Sequence, residues 1–546
     1  MTWFAAGISR PLDWPKEITA GVTLAALAIP LNIGYAQIAG LPPVVGLYAA
    51  IVPMLVFALF CSSRQLVASP DAPIAALIAS LLAAMAVRPG SAQYVELAYA
   101  QALVCAGVFL LFFVFRLGFL ADFLSEPVLV GFIAGLAVEI LTSQVEKILG
   151  VHTTADRFFP ELWEIITRIP QAEKWSVVIG LATVAVIVVL RRFAPALPGP
   201  LVALVAATAV VAWAGLDKRG VSVLGDVPSG LPVPHWPSIT LGQWAGLVPG
   251  AIAIAAVTLA DGLLTARRYA EQRGYRLDAN QELRAFGLAN VAAGLTQSMT
   301  VGSSASRTAA MDATGSRSQV PSVVCALVVA VLVAFFSGVL AYLPNTALAG
   351  IVAVAVVRLI DVRKLAELWR LRRSEFWIAV VCLLGVPVLG SLTAVVIAFL
   401  LSAVDVVRRA ARPSTAVLRP GEQGRYVREE DHRDGDGEAG PLTVYRFESQ
   451  LFFANAATFK ADVERLAERG ARWIVLDAEA IPDVDTTGAQ ALRDTVALLG
   501  ERGVTFAVSR ATAGLRRLLT HYGLTELTYY DSNEAAADAF RESSAP

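Results

Sequence analysis

The run Ser298-Met-Thr-Val-Gly-Ser-Ser-Ala-Ser-Arg307-Thr-Ala-Ala-Met-Asp-Ala-Thr-Gly-Ser-Arg317-Ser-Gln319 decides how the rest of the chain is read. It lies between two apolar segments, yet it carries nine hydroxyl residues, two glycines and two arginines. An arginine in the middle of a bilayer costs roughly 3 kcal/mol or more. Such a stretch belongs inside a protein bundle, lining a polar cavity. A helix starting within the membrane near Ser303 would offer free backbone N–H groups and a positive dipole end. The serines add donors and Arg307 adds charge, which are the parts of an anion site. On that helix Arg307 shares a face with Ser303, and Arg317 falls about 20 Å further on, at the water interface. The same composition also suits a loop between two ordinary helices. The segment before it, Phe286 to Gln297, speaks against a loop, being too short to cross roughly 30 Å as a regular helix. A short span joined to a polar half-helix is a discontinuous membrane segment.

Of the 546 residues 56% are hydrophobic and only 16% charged, with a mean hydropathy of +0.62. A soluble domain carries nearer a quarter charged residues, so the chain reads as a polytopic membrane protein with a soluble part. A net charge of −1 gives no global field for nucleic acid. Cys61, Cys105, Cys325 and Cys382 are widely spaced in apolar segments and read as small hydrophobes, neither metal ligands nor a disulfide framework. Residues 1–17 have prolines and an aspartate instead of a cleavable apolar core, and Trp3 and Trp14 suit an interfacial stretch.

Apolar spans are predicted over residues 18–39 (interrupted by Pro30 and Gly34), 41–61, 65–87, 92–115, 128–149, 176–190 and 201–214. Pro70 and Pro73 make the start of the third an extended piece followed by a helix that begins within the membrane. Residues 152–174 and 215–243 read as connections. The second half holds 247–266, with Asp261 inside it, a soluble stretch Arg267 to Arg284, the broken segment, and spans at 320–340, 346–357, 376–389 and 392–407. Arginines recur on alternate connections, including Arg64, Arg191, Arg192, Arg267, Arg268 and 358–373; the positive-inside rule makes that side cytoplasmic, with both termini on it. Each half has a broken segment, at Pro70 and at Ser303, and an odd number of spans per half inverts the second copy. The candidate site lies where the two half-helices meet. The repeats run roughly over 18–215 and 244–407.

After Arg412 the composition changes. Residues 408–441 read as a linker and the start of a soluble domain, with a solvated run over 413–440; 442–546 alternates strands and helices as a compact α/β domain. Strands are predicted at 442–447, 451–454, 473–478, 504–509 and 527–530, and helices at 458–469, 487–499, 513–521 and 534–540. No metal cluster, Gly-rich phosphate loop or nucleophile–base pair appears, and His432 and His521 stand alone, so the chain is not expected to be an enzyme or to need a cofactor.

Gly274-Tyr-Arg-Leu-Asp-Ala-Asn-Gln-Glu-Leu283 resembles the strongest signature of the SulP anion transporters, the sulfate-permease family that includes prestin. Ala39-Gly-Leu-Pro-Pro-Val-Val-Gly-Leu-Tyr48, Ser306-Arg307 and Asp485-Thr-Thr-Gly488 are similar to that family's first-span motif, its anion-site pair and the loop of its C-terminal STAS domain. The resemblance covers nearly the whole chain. It implies about fourteen segments in two inverted seven-segment repeats, a core domain moving against a gate domain as an elevator, and a homodimer. It also implies an anion site lined by Tyr35, Asp71, Ala72, Ser303, Ser304, Ala305, Ser306 and Arg307, with Asp261 and Thr265 facing the same place for the coupling ion. Three departures stand out: Leu31 follows Pro30 where a glutamine is common, Asp71 replaces a small or apolar residue, and Ala305 lacks the hydroxyl of sodium-coupled relatives.

Plainer roles stay open. Asp71 could cap a helix, Arg307 could pair structurally with Asp261, Tyr35 could be packing, and Thr487 could be an N-cap where relatives of the soluble fold are phosphorylated. The function this predicts is secondary active uptake of a small anion across the inner or plasma membrane. Sulfate in symport with H+ comes first; bicarbonate or a dicarboxylate, with Na+ less favoured, are alternatives. A membrane-tethered STAS signalling protein, with a regulatory partner at that domain, is the reading from another class.

Overall fold

The computed structural model describes residues 13–118, 126–151, 153, 155, 158–194, 197–225, 227–421, 426–428 and 440–543. The expectations for Trp3, for the acidic run 429–438 and for His432 lie outside the described residues. The chain forms two compact units, 1–402 and 403–546.

The first unit is helical. Helices α1 (Trp14–Ile38), α2 (Pro43–Ala49) and α3 (Val52–Phe60) lead to a two-residue strand β1 (Ala68–Ser69) and α4 (Ala72–Ala84). Then come α5 (Ala92–Val114), α6 (Glu126–Leu149), α7 (Phe158–Arg168), α8 (Lys174–Phe193) and α9 (Gly199–Ala214). The second half has α10 (Leu241–Arg273), α11 (Ala279–Leu295), strand β2 (Gly302–Ser303), α12 (Ala305–Ala313), α13 (Val320–Phe335), α14 (Ser337–Leu340), α15 (Asn345–Val357), α16 (Val362–Leu371), α17 (Arg373–Leu389) and α18 (Ser391–Ala410). Among the described residues, seven helical stretches are long and apolar enough to cross a membrane, and α4, α9 and α13 are shorter apolar helices.

Pro70 and Pro73 act as expected: the chain is extended through Ser69, and α4 starts with Asp71 at its N-cap and proline in its first turn. Its 13 residues span about 20 Å, a half-crossing. Several expectations fail for identifiable reasons. Pro30 does not interrupt the first span; α1 runs continuously past it. The second span is broken instead, between α2 and α3. Phe286–Gln297 is not a short segment, because α11 begins at Ala279: its polar first turns face neighbouring protein, with Glu282 fully buried. Arg317 is not on the half-helix, since α12 ends at Ala313 and the chain turns at Gly315, whose φ is +86°. The connections 152–174 and 358–373 contain helices α7 and α16.

Close approach explains one motif residue. A Cβ on Gly46 would lie 2.1 Å from the Asn32 carbonyl oxygen, so only glycine lets α2 pack there against α1.

In the second unit a six-stranded sheet has the order β4-β3-β5-β6-β7-β8, built from β3 (Ser414–Pro420), β4 (Tyr426–Arg428), β5 (Leu442–Glu448), β6 (Trp473–Asp477), β7 (Thr505–Ser509) and β8 (Thr528–Tyr530). The β5–β8 pairings are parallel and those of β3 antiparallel. Helices α19 (Ala456–Glu468), α20 (Thr486–Glu501) and α21 (Ala513–His521) bury Phe459, Leu492 and Leu515 with Phe447, Ile474 and Leu476 on one face. Ala536 of α22 (Asn533–Ser543) joins Val475 and Ala507 on the other. The alternation Ile474, Val475, Leu476 thus points to two covered faces. Strands β3 and β4 occupy part of the stretch read as solvated. Leu451–Ala454 is no strand; it makes a single bridge, Leu451 to Val484, before Asn455 Oδ1 accepts the Phe452 N–H (2.9 Å) in a turn.

Candidate functional site

The two interrupted segments meet through their backbones. β1 pairs antiparallel with β2, Ala68 opposite Ser303 and Ser69 opposite Gly302. The Ser304 N–H donates to the Val67 carbonyl (3.0 Å), and the Val67 N–H donates to Thr308 Oγ1 (3.0 Å). Each strand leads into a helix, α4 or α12, so two helix N-termini start beside one another. The first N–H of α4 is taken by Asp71 and its second residue is Pro73, while α12 has no side-chain cap among the described residues. Gly302 is required for this crossing: a Cβ there would stand 2.3 Å from Ile74 Cδ1 and 2.7 Å from Thr258 Oγ1. Asn290 fixes the approach to β2, accepting from the Val301 N–H (3.0 Å) and donating to the Val301 carbonyl (2.9 Å).

Arg307, on the first turn of α12, is 1% exposed. One terminal nitrogen donates to Asn32 Oδ1 (2.8 Å) and to Ser69 Oγ, and the other to the Pro70 carbonyl (2.6 Å). Its guanidinium carbon lies 5.5 Å from the centre of the Tyr35 ring. Nε of Arg307 and Nδ2 of Asn32 are buried donors without a partner among the described residues. Asp71 Oδ1 accepts the Ala72 N–H (2.9 Å), and its charge acts on Arg307 and Tyr35. Asp71 therefore occupies the cap position and faces the arginine together.

Asp261, on α10, accepts from Ser303 Oγ at 2.7 Å. It makes no ion pair with Arg307, contrary to the plainer reading of that arginine, and the carboxylate whose charge acts on it is Asp71. Ser303 is not on a helical face with Arg307 either, because it belongs to β2 and reaches the opposite way, to α10. Ala72 and Ser304 are fully buried, Ala305 partly so, and Ser306 is exposed with its hydroxyl 3.5 Å from that of Ser304. Thr265 is half-buried one turn beyond Asp261 and makes no hydrogen bond to it among the described residues.

Tyr35, Asp71, Ala72, Asp261 and Ser303 to Arg307 are thus gathered around one strand pair, with Thr265 at its margin. Asn32, Ser69 and the Pro70 carbonyl, which orient Arg307, were not in the expected set. A buried amide within an apolar helix was the available signal for Asn32. In the second unit, Thr487 is exposed on the first turn of α20, while Asp485 is the cap, accepting the Gly488 N–H (2.7 Å).

Residues 15–382 match the Sulfate permease family and 434–537 the STAS domain. The probable sulfate transporter MT1781 of Mycobacterium tuberculosis is 39% identical over 508 residues, covering 92% of this chain and 90% of its own. The fold is that of the murine anion transporter Slc26a9, with a TM-score of 0.88 at 22% identity over 96% of this chain and 91% of that one. It also resembles the transmembrane domain of the cyanobacterial bicarbonate transporter BicA, with a TM-score of 0.62 at 22% identity over 70% of this chain and 97% of that one. With its membrane bundle, paired half-helices and soluble α/β unit, this chain belongs to the sulfate permease family, a family of anion transporters rather than enzymes, and carries a STAS domain.

Proposed function

We propose that this protein takes up sulfate in symport with protons at the pairing of β1 and β2, with the helices that carry the pair moving as an elevator core against the rest of the bundle. The buried Arg307 between two helix N-termini is the observation that carries the reading. It supplies positive field where N–H groups and the hydroxyls of Ser304 and Ser306 are the ligands within reach. Sulfate is favoured because a relative 39% identical over 92% of this chain is described as a probable sulfate transporter.

Protons follow from charge. One arginine against the two carboxylates of Asp71 and Asp261 leaves the site with net negative charge, and a divalent anion adds two more. In a low-dielectric interior that excess is costly. Protons entering with the anion offset it and let uptake run against an interior-negative potential. Asp261, with its Ser303 partner, is the proposed first carrier and Asp71 the second; Ala305 gives sodium no hydroxyl. The positive-inside pattern supports both termini on the cytoplasmic side of an inner or plasma membrane, and the family resemblance supports a homodimer. Thr487 is a proposed phosphorylation site, exposed where a phosphate would meet the first N–H groups of α20.

Purified protein in liposomes tests the reading with labelled sulfate, bicarbonate and fumarate under imposed proton or sodium gradients. Sulfate accumulation driven by an inward proton gradient is expected. Accumulation driven only by sodium, or of bicarbonate in place of sulfate, would overturn it.

A further inference from the structure

The Gly274–Leu283 motif lies outside the set of residues gathered around β1 and β2, yet Tyr275, Gln281 and Glu282 of it are committed to one neighbouring segment. Glu282 is fully buried, and one of its oxygens, Oε1, accepts three hydrogen bonds: from the Ser62 N–H (2.7 Å), the Ser62 hydroxyl (2.7 Å) and the Ser63 N–H (2.8 Å). The Tyr275 hydroxyl donates to Gln65 (2.8 Å) and accepts the Arg64 N–H (3.2 Å). Gln281 donates to the Phe60 carbonyl (3.1 Å) at the end of α3. The motif therefore grips residues 60–65, the segment that enters β1 and α4.

A second buried carboxylate does the same for the other half. Glu17, near the start of α1 and 2% exposed, accepts from Ser316 Oγ (2.7 Å), the Arg317 N–H (2.9 Å) and Ser318 Oγ (2.9 Å), the segment that leaves α12. The next residue, Gln319, fully buried, joins the two grips. Its amide donates to the carbonyls of Ser63 (3.0 Å) and Leu66 (2.9 Å). Neither carboxylate forms an ion pair among the described residues. Burying a carboxyl group costs free energy unless its bonds are satisfied. Glu17 uses both oxygens, while Oε2 of Glu282 has no partner among the described residues, so two such groups at the roots of two half-helices are held for what they position.

We propose that Glu17, Glu282 and Gln319 are positioning residues of the anion site: a buried clamp joining the entry to α4 with the exit from α12, so that both halves of the site travel as one body. The proposal rests on the anion being bound where β1 and β2 pair, and it predicts effects on geometry that are measurable without any anion.

Spin labels on cysteines introduced at Ala84 and Ala313, both exposed at the far ends of α4 and α12, report the distance between the half-helices in the full chain in nanodiscs; the four native cysteines are buried. The parent should give one narrow distance distribution. Gln319→Ala and Glu17→Ala should broaden it, and should raise the half-saturating sulfate concentration roughly tenfold, the equivalent of one or two hydrogen bonds, with the maximal rate little changed. Glu17→Gln should restore both, because its amide can donate to the two serine hydroxyls while its oxygen accepts the Arg317 N–H. A distribution that stays narrow in Gln319→Ala overturns the clamp, and so does broadening with unchanged affinity. If Glu17→Ala fails to fold, Gln319→Ala still decides. If the parent transports no sulfate, the distance measurement still judges the clamp, and it is the functional reading that falls.

Discussion

Replacing Arg307 separates what its charge does from what its bonds do. The structure shows three acceptors on its two terminal nitrogens: Asn32, Ser69 and the Pro70 carbonyl. Hydrogen bonds from a charged donor contribute about 1.5–3 kcal/mol each, and breaking a buried charged set costs about 3–5 kcal/mol. Arg307→Ala should therefore lower stability by roughly that second amount and also remove the positive field at the helix ends. Arg307→Lys keeps the charge, but a single ammonium lacks the planar fork and loses about one of the three bonds. Its stability cost should be about 1.5–3 kcal/mol. The half-saturating sulfate concentration should rise at least about thirtyfold in the alanine variant, for a loss of some 2 kcal/mol, and by clearly less in the lysine variant. Uptake into liposomes over a range of sulfate concentrations, with thermal melting of the same preparations, gives both numbers. If the alanine variant reaches half-saturation where the parent does, the anion binds elsewhere. If lysine is no better than alanine, geometry and not charge is what Arg307 supplies.

Asp261→Asn should still exchange labelled sulfate across the membrane but fail to concentrate it under an inward proton gradient; continued proton-driven accumulation would remove Asp261 as the carrier. Gly302→Ala should weaken sulfate affinity through overpacking of about 1–3 kcal/mol, since the new Cβ meets Ile74 Cδ1 at 2.3 Å. Adding Ile74→Val deletes that atom and should recover part of the loss, so an additive double variant would refute the steric account. Phosphate on Thr487 peptides, measured by mass spectrometry of protein from its native host under varied nutrient supply, is expected; full coverage of those peptides without modification would eliminate that regulatory site.

Much of the architecture was legible because membrane burial writes a strong pattern. The proline pair at 70 and 73 gave away the start of α4, and a hydroxyl-rich, arginine-bearing run gave away α12. What stayed hidden follows from one assumption in hydropathy reading, that polar residues face water. Asn280, Gln281, Glu282 and Arg284 looked like a soluble loop, yet α11 begins at Ala279 and its polar turns bind the 60–63 backbone. Strand β3 was read as linker for a related reason: only Ala416 and Leu418 among its residues are buried, too few for a clear alternation. At the site, single residues were found more readily than their pairings. That Ser303 would turn to Asp261 while Arg307 turned to Asn32 depends on β2 and α12 being different elements, and a two-residue strand leaves no periodicity to read.

The pairing also bears on how this protein tells anions apart. Arg307 uses three of its five N–H groups on Asn32, Ser69 and the Pro70 carbonyl, while its Nε has no partner among the described residues. An anion bound at the proposed site would meet a fixed field together with that remaining donor. The other direct ligands at the proposed site would be the backbone N–H groups at the helix starts and the hydroxyls beside them, whose positions are fixed by β1 pairing with β2. Such a set discriminates by size and charge, because a hydroxyl can turn to suit the oxygen presented while the backbone cannot. On that proposal selectivity would lie in the separation of the two helix ends. Substitutions that change that separation, at Gly302 or Gln319, should alter the ranking of sulfate, bicarbonate and fumarate. Substitutions at Arg307 should weaken all three together, the divalent ions most. Competition of the three anions against labelled sulfate in the two classes of variant distinguishes a geometric filter from an electrostatic one.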